Sequence, residues 1–246
     1  MNNQKIDLII MSYENEFEIF YSNINQAARS FYYHQEIQRQ VHEDGLKHEK
    51  MPNGCFQHSK MFQSIQTNSQ FWTGYNNSSI VFFVITLGRI FDNNKNSHRI
   101  EELVDEAKKS GLFTKKMLRE RKMKGSDNAH EWIDCYMMDA QELSCADFKE
   151  IIEYATETRS KWESVKGLRN KIFAHQDIID EAEKSAIYEK SKYSIFEEII
   201  ERLLTLECIF FNAFNNGKAP DFNYKNSMIK NAVVKDVQSL LERLSS

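Results

Sequence analysis

The residue types best suited to chemistry stand together in the segment Arg169–His175, which reads Arg-Asn-Lys-Ile-Phe-Ala-His. Arginine keeps its positive charge near neutral pH and can bind a phosphate through two parallel N–H donors. Histidine is the side chain whose ordinary pKa suits proton transfer near neutrality. This pairing is typical of anion binding combined with general base chemistry. Asn170 could hold the same anion or orient His175.

The arginine is predicted to lie on the apolar face of a helix. Upstream residues spaced three and four apart form one buried stripe: Phe148, Ile151, Ala155, Thr158, Trp162 and Val165. At about 100° per residue, Arg169 falls near the centre of this stripe. Burying an unpaired guanidinium is costly. Either a carboxylate of the partner helix, Glu201 or Glu207, pairs with Arg169, or Arg169 faces a polar cavity meant for an anion.

Helical geometry separates the two candidate residues. On an unbroken helix Arg169 and His175 point about 120° apart and lie about 9 Å apart along the axis, so both cannot reach one phosphate. We expect a kink near Phe173, or a composite site that draws residues from two subunits of a symmetric dimer. A structural role for His175, as a helix C-terminal cap, is the alternative.

Composition predicts an all-α fold, because only two prolines and eight glycines punctuate 246 residues and the periodic stretches are long. No linker is evident, so we predict one helical domain over residues 1–246. It would comprise an N-terminal helix and loop (1–60), a helical bundle core (62–216) and a C-terminal helix (217–246). Ser144 and Asp147 predict a capping box for the helix that carries Arg169.

Individual helices are predicted from apolar periodicity and from cap residues. The predicted helices cover about residues 5–43, 62 or 71 to 92, 129–142, 145–174 and 193–214. A loop is predicted from Gly45 to Ser59. Ser97 is predicted to cap a helix that Gly111 closes, and Thr114 to begin a basic segment. Inward residues of the last two helices are predicted to be Phe196, Ile199, Leu203, Leu206, Phe210, Val233, Val237, Leu240 and Leu244.

Charge and cysteine usage narrow the function classes. The formal net charge of −4 excludes a globally basic nucleic-acid binder, so any RNA contact must come from local patches. Four cysteines are scattered without a CxxC pair, and no leader is evident, which predicts reduced thiols and a cytoplasmic protein. The longest apolar run, residues 80–91, is too short to cross a bilayer and contains Arg89, so no membrane association is expected.

The densest basic stretch, residues 108–124, holds eight lysines and arginines against one acid. It could follow an RNA backbone, or it could be a solvated surface. The candidate RNA-binding residues are Lys115, Lys116, Arg119, Arg121, Lys122 and, beside the arginine of the first segment, Lys171.

Three further groups of residues have alternative interpretations. His48, Cys55 and His58, with His42 nearby, have metal-like spacing, but the spacing fits no standard zinc finger and polar loops gather histidines freely. Arg89 and Asp92, three residues apart, predict a salt bridge within one helix, although either could line a cleft. Three tryptophans are predicted to anchor a core rather than to stack on bases: Trp72, Trp132 and Trp162.

The segment Arg169–His175 resembles the Arg–polar–X4–His signature of the HEPN superfamily, and the longer string Leu168–Asp177 resembles the abortive-infection, U-type branch. The resemblance extends to Leu-Gly-Arg-Ile-Phe-Asp at 87–92, to Ser-His-Arg-Ile at 97–100 and to parts of 112–122. It covers much of residues 75–215, while the first 60 residues and the C-terminal helix match nothing known to us. A second match to the signature, Arg29 to His34, is interpreted as coincidence.

The resemblance implies a HEPN-like four-helix bundle, usually dimeric, with two copies of the motif facing each other across a two-fold cleft. It also implies a metal-independent endoribonuclease of phage defence or of a toxin–antitoxin pair, with RNA as substrate, a possible antitoxin or defence partner, and no cofactor. His175, Arg169 and Asn170 would then cut RNA by 2′-hydroxyl attack, leaving a 2′,3′-cyclic phosphate. The alternative is a non-catalytic HEPN-like module that binds RNA, a nucleotide or a protein.

Overall fold

The computed structural model describes residues 3–45, 48–50, 56–92, 99–174 and 180–245, and the statements below concern these residues. The fold is all-α, as predicted. The helices are α1 (Asn3–Gly45), α2 (Lys60–Thr67), α3 (Ser69–Phe91), α4 (Ile100–Ser110), α5 (Lys115–Lys124), α6 (Ala129–Asp139), α7 (Cys145–Gly167), a π-helix (Leu168–Ala174), α8 (Glu181–Lys190), α9 (Tyr193–Asn216) and α10 (Met228–Ser245).

A short hairpin follows α1, where the sequence predicted only a loop. Strands β1 (His48–Lys50) and β2 (Phe56–His58) pair antiparallel, with His48 opposite His58. The sequence Pro52-Asn53-Gly54 is a turn signal, but three-residue strands are too short to show a period-two pattern in the sequence.

The chain divides into two compact units. Unit 1 consists of residues 1–24 and 88–226, and unit 2 of residues 25–87 and 227–246. Each unit is built mainly from helices. The single domain over 1–246, with its three subdivisions, stays a prediction.

In unit 1, α7 packs against both α4 and α9. Helices α7 and α9 run antiparallel, since Lys161 pairs with Glu198 at 2.8 Å and Arg202 donates to the carbonyl of Tyr154 at 3.0 Å. All six residues of the predicted α7 stripe are buried, and so are the five predicted inward residues of α9. The amphipathic pattern of these helices is thus confirmed.

The ends of the unit 1 helices follow the predicted cap chemistry. Ser144 and Asp147 form the expected capping box, with reciprocal hydrogen bonds of 3.2 and 2.7 Å. Thr114 caps α5, and Gly111 and Gly217 end α4 and α9 in the left-handed conformation that suits glycine. Ser97, predicted to cap α4, lies outside the described residues. The structure places Arg99 at that cap, with no capping hydrogen bond from its side chain.

Unit 2 contains the second half of α1, most of α3, α2 and α10. Its core includes an edge-to-face pair of Phe31 and Phe83, whose ring centroids are 5.3 Å apart. Val233 and Val237 of α10 are buried as predicted, but Leu240 is exposed and Leu241 is buried instead. Ile229 is also buried, so the inward positions of α10 step by four residues three times. The side chain of Leu244 lies outside the described part of the chain.

The tryptophan prediction is confirmed for one residue of three. Trp162 is buried and stacks on Phe91, with centroids 5.6 Å apart. Trp72 and Trp132 are only half-buried. None of the described helices combines the length and apolar character needed to cross a membrane.

Candidate functional site

The helix that carries Arg169 changes its hydrogen bonding just before this residue. Helix α7 ends at Gly167, and the next seven residues form the π-helix, in which bonds span five residues instead of four. The angle of 100° per residue therefore no longer applies beyond Gly167. We expected a kink near Phe173, whereas the change begins five residues earlier. π-Helical segments are rare and occur frequently at functional sites.

Because of this change, Arg169 is not at the centre of a buried stripe as predicted. Leu168 continues the buried face of α7, while the side chain of Arg169 keeps 25% of its surface exposed. Ile172 and Phe173 are also half-buried. Arg169 thus stands at the edge of the core, where one side of its guanidinium is accessible. His175 lies outside the described residues, so its position relative to Arg169 stays a prediction.

Two polar groups contact the amino groups of Arg169. Nη1 donates a hydrogen bond of 3.1 Å to Oδ1 of Asn170, and Nη2 lies 3.5 Å from Oδ2 of Asp92. The second distance is too long for a strong hydrogen bond, so this contact acts mainly through charge. The third nitrogen, Nε, is buried, and no residue within the described ranges accepts a hydrogen bond from it. Asn170 therefore holds the guanidinium at Nη1, and Asp92 holds it only loosely at Nη2.

Gly88 makes room for this arginine. A Cβ atom at position 88 would lie 2.3 Å from Nε and 2.4 Å from Cδ of Arg169, well inside van der Waals contact. The arginine therefore crosses helix α3 where that helix has no side chain. Asp92 follows four residues after Gly88 and directly after the end of α3, so the end of this helix supplies the space and the next residue supplies the carboxylate. We call Gly88, Asp92, Arg169 and Asn170 the arginine cradle.

The acidic partner of Arg169 differs from the predicted ones. Glu201 and Glu207 were the expected candidates, but the antiparallel packing of α7 and α9 sets both well away from the π-helix. Glu207 is buried among its own neighbours, and this burial raises the pKa of its carboxyl group to about 7. The predicted helix-internal pair of Arg89 and Asp92 is also wrong: Arg89 is exposed, and the cation paired with Asp92 is Arg169.

Lys171 points away from the arginine cradle. Its ammonium group pairs with the carboxylate of Glu183 in α8, and both side chains are well exposed. This pair joins the π-helix to α8, a helix that the sequence did not predict because its apolar residues lack a clear periodicity.

The basic residues of α5 do not act as one group. Lys115, Lys116 and Arg119 are exposed, and Arg119 pairs with Asp134 at 2.6 Å. Lys122 is half-buried, with its ammonium 5.3 Å from the ring centroid of Tyr136. All four carry charge at or near the surface.

Arg121, in contrast, is built into the protein. Its guanidinium donates to the carbonyls of Leu112 and Phe214 at 2.8 and 2.6 Å and lies 3.9 Å from the centroid of the Phe214 ring. Burial lowers the pKa of Arg121 to about 10. The arginine thus ties the loop after α4 to the end of α9.

The weak zinc candidates cannot be brought together from the described residues. His48 and His58 are paired by the backbone register of the hairpin, but their side chains, and Cys55 altogether, lie outside the described part. Among the described residues no group of three or more histidine, cysteine, aspartate or glutamate side chains could hold a metal ion.

The second match to the arginine–histidine signature has a different environment. Arg29 and His34 lie in regular α-helix in unit 2, where Arg29 is exposed and His34 is buried. Burial lowers the pKa of His34, which interacts with Asn76. The two side chains do not share one accessible surface, in keeping with the interpretation of this match as coincidence.

Sequence reasoning missed the role of Gly88. The residue lies within the string Leu87–Asp92, which was noted only for its resemblance. An isolated glycine in the middle of an otherwise apolar helix usually has a packing reason, and that signal was available. The sequence does not show which side chain crosses α3 at Gly88, because Gly88 and Arg169 are far apart in the chain.

Comparisons with known proteins agree with the motif and the fold. The family model HEPN_AbiU2, described as AbiU2, matches residues 56–211, which is more than half of the chain. The match includes Gly88, Asp92, Arg169 and Asn170. Neither the search of curated proteins nor the search of solved structures found a match. The chain belongs to the AbiU2 family, the abortive-infection, U-type branch of the HEPN superfamily.

Proposed function

We propose that this HEPN protein is an endoribonuclease that cuts RNA without a metal ion. The observation that carries the proposal is the arginine cradle: a permanently charged arginine packs closely against Gly88, is held by Asn170 at Nη1, and keeps a quarter of its side chain exposed. Membership of an abortive-infection family supports a role in phage defence or in a toxin–antitoxin pair.

The cradle leaves donors available for a phosphate. A guanidinium has five N–H groups, of which Nη1 and Nη2 carry two each. Asn170 accepts one N–H from Nη1, and Asp92 lies near Nη2 without a close hydrogen bond. At least one N–H of each amino group therefore remains for a phosphate oxygen. Two parallel donors of this kind match the oxygens of a phosphate.

The loose ion pair with Asp92 argues against a purely structural arginine. The side chain of Asp92 is 40% exposed, and ion pairs at such solvent-accessible positions contribute about 0–1 kcal/mol to stability. A loose ion pair of this kind could form without close packing of the arginine against Gly88. The close packing limits the directions in which the guanidinium can point, which is what binding a ligand requires.

In the proposed reaction His175, as neutral imidazole, takes the proton of a ribose 2′-hydroxyl. The 2′-oxygen attacks the adjacent phosphorus, the bond to the 5′-oxygen breaks, and that oxygen takes up a proton. Arg169 stabilises the negative charge that builds up on the non-bridging oxygens, and Asn170 holds the guanidinium in place. The products are a 2′,3′-cyclic phosphate and a 5′-hydroxyl. DNA, which lacks the 2′-hydroxyl, is not cut.

Replacement of the histidine tests the reaction. We expect His175→Ala to reduce RNA cleavage to background, because the base that activates the 2′-hydroxyl is gone, with the fold intact by circular dichroism. His130→Ala, which removes an exposed histidine of α6, is the matched control and should cut at the wild-type rate. Cleavage by wild type should also persist in excess EDTA.

The outcomes separate the alternatives. Cleavage by His175→Ala at the wild-type rate would remove this histidine from the mechanism. Activity that is lost in EDTA and restored by a metal ion would indicate a metal-dependent nuclease. RNA binding without any cleavage by the wild type would favour a non-catalytic HEPN module.

A mixing experiment tests the proposed homodimer and its composite site. Arg169→Ala and His175→Ala are each expected to be inactive. If each site uses the arginine of one subunit and the histidine of the other, a mixed dimer retains one complete site. Random mixing should then restore about a quarter of the wild-type activity. A mixture as inactive as its parents, with subunit exchange demonstrated, would show that the site does not combine residues of two subunits.

The close crossing at Gly88 gives a test that separates stability from activity. Gly88→Ala should keep or raise thermal stability, because alanine favours a helix by up to about 1 kcal/mol over glycine. Its Cβ would displace the guanidinium of Arg169, so cleavage should fall at least about tenfold, as for a lost transition-state donor.

Gly74→Ala is the matched control, since the same substitution in the same helix meets no atom within 4 Å. It should share the gain in helix stability and leave cleavage unchanged. Full activity of a folded Gly88→Ala protein would show that the position of Arg169 against α3 is unimportant for the reaction.

A further inference from the structure

A second candidate site lies in unit 1, where α5 ends. A cavity of about 330 Å³ is lined on one side by the apolar side chains of Leu118 and Phe214 and by the half-buried indole of Trp132. Two cations, Arg121 and Lys122, and one acid, Glu14, also line it. A cavity of this volume is at the lower end of small-molecule sites, large enough for one nucleotide and too small for a peptide helix.

The cation at the base of this cavity is rigid. Two carbonyls and the face of Phe214 hold the Arg121 guanidinium, as described above, so no side-chain entropy is lost when a ligand meets it. Arg121 has no carboxylate partner within 4 Å among the described residues, and its charge is therefore not neutralised by a close ion pair. Glu14, which also lines the cavity, acts on Arg121 through its charge but forms no ion pair with it within 4 Å, so the half-buried guanidinium can still attract a ligand that brings negative charge or hydrogen-bond acceptors.

An aromatic side chain and a second cation line the same cavity. Trp132 meets Tyr136 edge to face, with centroids 5.7 Å apart, which fixes the orientation of the indole. Lys122 lies near the same tyrosine, and its side chain is long enough to reach the phosphate of a nucleotide whose base is in the cavity. The combination of a stacking surface with cations is what single-stranded nucleic-acid sites use, because every base has a π-face and every nucleotide has a phosphate.

The outer face of α5 continues the positive charge away from the cavity. On the helix, Lys115, Arg119 and Lys122 fall within about 60° of one another, so they form one row. Arg121 is on the other side, against the protein. If one base of an RNA strand occupies the cavity at Lys122, the sugar-phosphate backbone of that strand lies beside this row of basic residues.

We infer that this cavity holds one unpaired base of a single-stranded RNA, with Trp132 stacking on the base and Lys122 contacting its phosphate. The inference rests on the proposed function in one respect, since it takes RNA as the substrate class. It assigns a base-binding subsite that is separate from the arginine cradle.

The packing of α7 against α9 places the base-binding subsite far from the arginine cradle. Because α7 and α9 run antiparallel, with Lys161 beside Glu198, Phe214 lies level with the start of α7, whereas Arg169 follows its end. The distance along α7 between these levels is roughly 35 Å at 1.5 Å per residue. A single RNA that occupies both places must bridge several nucleotides. The base-binding subsite therefore contributes to affinity and to the choice of substrate, and it takes no part in the chemical step.

The test is binding of a short, fluorescein-labelled oligouridylate to His175→Ala protein, followed by fluorescence anisotropy. Trp132→Ala should weaken binding about tenfold, because one stacked base is lost, and Trp132→Phe should stay within about threefold of the parent. Trp72→Ala, which removes a half-buried tryptophan in unit 2, is the matched control and should bind like the parent. Circular dichroism confirms that each variant is folded.

Charge and base recognition are separated by two further measurements. Lys122→Gln should weaken binding, whereas Lys108→Gln, an exposed lysine outside α5, should change it little. An abasic oligomer of equal length should bind more weakly than the oligouridylate and should not distinguish Trp132→Ala from the parent. If Trp132→Ala does not fold, Lys122→Gln and the comparison of the abasic oligomer with the oligouridylate decide.

The inference is overturned if folded Trp132→Ala binds like the parent, if the abasic oligomer binds as tightly as the oligouridylate, or if only an acidic protein competes for this surface. These failures differ from a failure of the proposed function. Loss of binding in Trp132→Ala together with a wild type that never cuts RNA would support the subsite and reject the nuclease. Cleavage by the wild type together with an unchanged KM in Trp132→Ala would support the nuclease and reject the base-binding subsite.

Discussion

The close crossing of the Arg169 side chain over α3 at Gly88 is the constraint on which the site depends. A guanidinium cannot lose its charge to escape burial, so its surroundings must adapt to it. Here the adaptation is a missing side chain at Gly88, a carboxylate one turn later and an amide beside it. The result is an arginine that is fixed at its inner edge and accessible at its outer edge.

The crossing requires that the end of α3 and the end of α7 stay in register, and unit 1 provides for this. Phe91, three residues after Gly88, stacks on Trp162 of α7. Arg159, one turn before Trp162, donates to the carbonyl of Phe91 at 2.8 Å and pairs with Glu101 of α4. Three helices are thus tied together within about three turns of the arginine cradle. These contacts hold the end of α3 against α7 close to the place where Arg169 crosses Gly88.

Features that depend on local chain chemistry could be predicted from the sequence, and features that depend on distant partners could not. The α7 stripe, the Ser144–Asp147 capping box and the glycine caps follow from spacing and residue type alone. The ion pair of Asp92 with Arg169, and the close crossing of Arg169 at Gly88, depend on how α3 packs against α7. No local sequence pattern encodes that packing. The π-helix shows the same limit, because the assumption of 100° per residue placed Arg169 inside the stripe that Leu168 in fact completes.

Family membership and local geometry support a functional role of Arg169 in different ways. The AbiU2 match relates the motif to abortive infection, and the cradle gives a physical reason for an arginine at this position. The most direct measurement compares the free energy of unfolding and the RNA cleavage rate of Arg169→Ala with those of the wild type. We predict a stability change within about 1 kcal/mol, since the partner carboxylate is solvent-accessible, together with loss of cleavage. A loss of about 3–5 kcal/mol with cleavage retained would make Arg169 a structural residue and contradict the account.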